Sequence, residues 1–155
     1  MPKERRYRKL ENTPIYIDVS KLLETVYGLS FSMQKKDRAV MSVRLLDNVS
    51  QMFSELALAY RLKHERVRRV DRFLSAFEVF KGFFRVCCSL KIVKPGNMTS
   101  VYILVQRIDD GIMKWRSTAV SKVQQPRVSN YDPEPGLHES RGGDGIIYTS
   151  SGSAS

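Results

Sequence analysis

Two histidines, two adjacent cysteines and a scatter of carboxylates are the residues of this 155-residue chain that could do acid–base or metal chemistry. Their spacing argues against each use. A di-iron site inside a helical bundle takes Glu-x-x-His pairs aimed into the core, and neither His64 nor His138 has a Glu three residues before it. A helical ribonuclease that works with an Arg and a His on one helix needs a longer step than the three residues from Arg61 to His64, which reads as a turn residue. Asp109 and Asp110 are neighbours, so on a helix they point about 100° apart and cannot share one metal or one substrate atom. Cys87 and Cys88 are adjacent too, the wrong spacing for a zinc site or a disulfide framework, and read as small hydrophobes in a reducing compartment. Gly142-Gly143 has no strand before it and so makes no phosphate loop. The chain is therefore not expected to be an enzyme or to need a cofactor, a metal or a small-molecule substrate.

What remains is charge. Lys and Arg number 26 against 16 Asp and Glu, a formal net charge of +10, and such an excess favours an anionic partner. From Ser121 onward Lys122, Arg127 and Arg141 are outweighed by Asp132, Glu134, Glu139 and Asp144, so the excess lies in the body of the chain. It concentrates between Arg61 and Lys94, where Arg61, Lys63, Arg66, Arg68, Arg69, Arg72, Lys81, Arg85, Lys91 and Lys94 face only Glu65, Asp71 and Glu78. Lys114 and Arg116 flank Trp115, and a basic arm carries Arg5, Arg6 and Arg8. These cations, with Lys81, Arg85, Lys91 and Lys94 set aside, are the expected nucleic-acid contacts.

The stretch 66–90 must position most of them, and its pattern is that of one long helix with two faces. Val70, Phe73, Leu74, Phe77, Phe80, Phe84 and Cys87 form a core stripe. Ala76, Val79, Phe83, Val86 and Leu90 recur on the other side, which passes from cationic at Arg68 and Arg72 to apolar further along. A solitary bundle has no use for that second stripe, so Val79, Phe83, Val86 and Leu90 are expected at a subunit contact. The alternative has the chain's own tail cover it.

Three more helices are expected around this one. Thr13-Pro14 supplies a cap and a first-turn proline, and Ile15, Val19, Leu22, Val26, Leu29 and Met33 step by four and three through a helix over 14–34. Lys35-Lys36 would complement its dipole and Asp37 would cap a second helix over 37–62, with Leu45, Leu46, Val49, Met52, Phe53, Leu56, Ala59 and Tyr60 inward and Arg44, Asp47, Asn48, Gln51 and Glu55 outward. Pro95-Gly96 breaks the chain and Asn97 caps a fourth helix over 98–120, built on Val101, Leu104, Val105, Ile108, Ile112, Trp115 and Ala119. Gly111 in its middle points to a close helix crossing. The fold class is thus all-α, an antiparallel up-and-down four-helix bundle over 14–120, between a basic arm (1–13) and a Gly/Ser/Pro-rich tail (121–155). No apolar run is long enough to span a bilayer and MPKERRYRKLEN lacks a signal core, so a soluble, cytoplasmic protein is expected.

The turn Lys94-Pro95-Gly96-Asn97-Met98 after Ser89-Leu90-Lys91-Ile92, and the run Ile108-Asp109-Asp110-Gly111-Ile112-Met113-Lys114-Trp115, resemble the accessory variability determinant proteins of diversity-generating retroelements. Those are grouped with the four-helix-bundle proteins encoded by intervening sequences in ribosomal RNA genes. The resemblance spans residues 14–120. It implies a bacterial or phage-encoded, non-catalytic homopentameric ring that binds a reverse transcriptase and its template RNA or cDNA during mutagenic reverse transcription. The family has no short binding motif, so the contact residues above rest on charge and helical phase. Two other readings stand beside it: a bundle of the ribosomal intervening-sequence type with no polymerase partner, and a helical interaction scaffold whose cations serve solubility. A membrane-surface role is disfavoured, because the basic face lacks an adjoining aromatic-rich anchor.

Overall fold

The structure is a computed structural model that describes residues 9–124. Arg5, Arg6 and Arg8 of the arm, and the tail from residue 125 with His138 and Gly142-Gly143, lie outside the described residues.

Four long helices make up the described chain, with no strand among those residues. They are α1 (Pro14–Ser32), α2 (Val43–Arg61), α3 (Arg66–Ser89) and α4 (Pro95–Gln124). Each packs mainly on its neighbours in the cyclic order α1, α2, α3, α4, α1. The contacts run antiparallel: Ile15 and Asp18 of α1 meet Gly111 and Arg107 of α4, and Asp71 and Phe84 of α3 meet Arg116 and Tyr102 of α4. This is a helical bundle.

The buried residues explain the architecture. Val70, Phe73, Phe77, Phe80, Phe84 and Cys87 of α3 are buried at alternating three- and four-residue steps, as are Ile15, Val19, Leu22, Val26 and Leu29 in α1 and Leu45, Val49, Met52, Leu56 and Ala59 in α2. This seam, close to a 3.5-residue repeat, lets helices lie nearly parallel. In α3 the stacked pairs Phe73–Phe77 and Phe80–Phe84, with ring centroids 6.1 and 6.0 Å apart, fill the centre. Truncating any one of these fully buried rings to Ala costs about 3–5 kcal/mol.

The helix ends differ from the sequence reading in instructive ways. Thr13 caps α1 as expected: its hydroxyl accepts from the Tyr16 amide at 3.4 Å and donates to the Leu10 carbonyl at 2.6 Å. At the other end of α1 the cap is Arg38: its Nε donates to the Ser30 carbonyl at 2.8 Å and its terminal nitrogen to those of Phe31 and Met33. Asp37 makes no side-chain cap, and the expected second helix is continuous but changes hydrogen-bond register near its start. A short turn of helix, Lys35–Asp37, leads into a π-helical segment, Arg38–Ser42, before α2 begins. No apolar period runs through this segment to report the change of hydrogen-bond register, since Val40 and Val43 are exposed and Ser42 is its buried residue.

Arg66 repeats the device of Arg38. Its Nε donates to the Ala59 carbonyl at 2.8 Å and its terminal nitrogen to that of Tyr60 at 3.1 Å, so it closes the C-terminus of α2 across the turn. The end of α3 needs no such help. Lys91 takes a left-handed conformation (φ 59°), its amide donates to the Cys88 carbonyl and that of Ile92 to the Cys87 carbonyl, a complete Schellman motif. Asn97 is not the cap of α4, which starts at Pro95 and runs to Gln124, past both expected ends.

Candidate nucleic-acid interface

The turn between α2 and α3 brings Arg61, Lys63, Arg66, Arg68, Arg69 and Arg72 to one end of the bundle, and the antiparallel α4 delivers Lys114 and Arg116 to the same end. Within this set the structure divides the cations into two kinds.

Three are committed to the fold. Arg66 caps α2 and lies over the Trp115 ring, 5.8 Å from its centroid. Arg69 bonds Glu65 at 3.1 Å and reaches Glu55 at 3.4 Å, with its side chain largely covered. Burial works against its charge, but the two carboxylates outweigh that and hold its pKa above the ordinary guanidinium value. Glu55, expected on the outer face of its helix, is instead buried at 8% exposure, because this charge-assisted pair compensates its desolvation. Arg116 donates to Asp71 at 2.8 Å and ties α4 to α3. It does not share an outward face with Lys114, since residues two apart on a helix point about 200° from each other.

The others are free. The side chains of Arg61, Lys63, Arg68, Arg72 and Lys114 form no hydrogen bond or ion pair with another described residue, and all five residues are exposed. The acids that could neutralise them are already taken: Glu65 by Arg69, Asp71 by Arg116, and Glu78 by Lys81. The positive field of the first half of α3 is therefore uncompensated. Asp109 and Asp110 form no ion pair with a described residue, and Arg107, one of their expected partners, turns to the buried Asp18 of α1 at 3.8 Å.

The same face of α3 continues as an apolar stripe. Val79, Val86 and Leu90 are 47%, 48% and 63% exposed, while Phe83 is half-buried against the core. Ala76, expected in this stripe, is buried instead. It lies on the boundary of the core face, and its small side chain is covered where a larger one would protrude.

Neither cysteine is in a disulfide. Burial pushes both thiols up from their ordinary value, and for Cys88 a hydrogen bond with Tyr102 partly offsets it. No group of three or more potential metal ligands occurs among the described residues, and no helix there is long and apolar enough to cross a membrane. Compared with models of protein families and with curated proteins, the chain has no match to either.

Proposed function

We propose that this protein is a non-catalytic, nucleic-acid-binding accessory subunit that assembles with itself through α3 and holds template RNA, or the cDNA copied from it, for a reverse transcriptase. The carrying observation is the outer face of α3, where exposed, unpaired Arg68 and Arg72 are followed along the same helix by exposed Val79, Val86 and Leu90. Cations without internal partners neutralise phosphates and release counterions, which gives affinity with little base reading. An apolar stripe on the same rigid helix fixes where those cations sit in an assembly. The resemblance to the accessory proteins of diversity-generating retroelements supports the polymerase partner, the homopentameric ring and a cytoplasmic setting.

The internal pairing of Arg66, Arg69 and Arg116 narrows the contact set to Arg61, Lys63, Arg68 and Arg72, with Lys114 on another flank of α4. If those four each meet one phosphate, log affinity for a structured RNA falls against log salt with a slope of about 3 to 4. Arg68→Glu with Arg72→Glu lowers that slope by about 2 while the helical circular dichroism is unchanged. A binding constant indifferent to salt removes the nucleic-acid reading and leaves the interaction scaffold, which the internal use of three of the eight described candidate cations favours.

A further inference from the structure

A second cationic site lies at the opposite end of the bundle, where α1 and α3 end and α4 begins. A cleft of about 510 Å3 opens there, lined by Ser32, Gln34, Lys36, Asp37, Leu90, Lys91, Ile92 and Lys94. Three ammonium groups share the lining with one carboxylate.

The bland role for lysines at such a place is to complement the negative ends of α1 and α3. That role is already filled. Arg38 occupies the last carbonyls of α1, and the Schellman motif satisfies those of α3. Lys94 precedes the first residue of α4, the positive end of a helix dipole, where a cation is unfavourable and an anion is favoured. Lys91 holds a left-handed backbone that glycine would adopt without cost. The side chains of Lys36, Lys91 and Lys94 make no hydrogen bond or ion pair with another described residue. Lys91 and Lys94 are thus placed against local preference beside Lys36 around one cleft, a conflict that a bound anion resolves.

We infer that this cleft binds the phosphate of a nucleoside phosphate, with Lys36, Lys91 and Lys94 as its cations and Ile92 as apolar support for the sugar or base. The volume is that of a small-molecule site. Gln34 adds an amide group for orientation, while the Ser32 hydroxyl already donates to the Leu29 carbonyl at 2.8 Å. The phosphate belongs either to a free nucleotide or to the end of a strand. The inference does not depend on the arginine end of the bundle binding nucleic acid.

Calorimetric titration of the full-length protein with AMP, with adenosine, and with a short RNA ending in either a phosphate or a hydroxyl tests it. AMP or the phosphate-ended RNA binds more tightly than its phosphate-free counterpart: a preference shown only by the RNA pair identifies a strand end, and one shown by AMP identifies a nucleotide. Lys91→Gly weakens that phosphate-dependent binding about tenfold, the loss expected for one charge-assisted hydrogen bond, while the melting temperature holds or rises. Lys36→Gln and Lys94→Gln weaken it in the same way, and Arg68→Glu with Arg72→Glu leaves the phosphate preference intact. Equal binding of AMP and adenosine together with equal binding of the two RNAs overturns the inference. So does a Lys91→Gly protein that is as stable as the parent and keeps the full phosphate preference.

Discussion

Gly111 shows how a single position can be legible in kind and wrong in degree. A glycine at the centre of a long helix marks a close crossing, and it does face Ile15 of α1. A Cβ built there would lie 3.6 Å from Ile15 Cβ and Cδ1, which is ordinary contact. The crossing therefore has room for a methyl group, and Gly111→Ala gains helix propensity without a clash. Thermal unfolding should show a stabilisation of about 0.5–1 kcal/mol; a loss instead would mean that α1 and α4 approach more tightly at this point. Lys91 is the reverse case. Nothing in its neighbours signals a left-handed residue, since glycine or asparagine is the usual occupant, and the strain of about 1–2 kcal/mol it carries is visible only in the backbone. Glu55 was misread for a related reason. Its side chain is polar and its helical phase borderline, and the partner that lets it be buried is Arg69, 14 residues away.

At the scale of the helices, the heptad-like spacing of apolar residues made the four long elements and their core faces readable. The boundaries were not, because they are set by hydrogen bonds that reach across turns. Arg66 is the clearest instance: its place in a run of arginines suggests a ligand contact, whereas its geometry is that of a cap. Arg66→Ala removes two charge-assisted bonds to α2 carbonyls and the stacking on Trp115, a cost of about 2 kcal/mol at a part-covered site. Arg66→Lys keeps the charge but loses the fork, and should still lose about 1 kcal/mol. Denaturant titration of the two variants separates the roles, since a residue that served only an anionic ligand would leave the midpoint unchanged in both. The same reasoning explains why charge counting alone could not sort the cations into committed and free.

For the molecule as a whole, the outward half of α3 makes a claim about assembly. Val79 and Val86 are about half exposed and lie outside the buried core cluster, so Val79→Asp with Val86→Asp should leave the monomer folded. Light scattering should then find the unaltered protein as an oligomer and the double variant as a monomer. A parent protein that is already monomeric would mean that the stripe serves something other than self-association. Overall charge and helix count were legible in composition and period; the distribution of free charge over the two ends of the bundle was not. Lys91 and Lys94 belong to the same basic tally as the arginines, but only the folded chain carries them to the far end, beside Lys36.

The two arginine caps also bear on how the chain can vary. Arg38 and Arg66 each stretch backward over a connection to grasp the helix just completed. The reach of one guanidinium stem then sets an upper limit on how many residues those two connections can hold. The third connection, after α3, closes through its own backbone and has no such tether. The bundle therefore has two joints whose length is limited by a side chain and one whose shape is set by its own backbone.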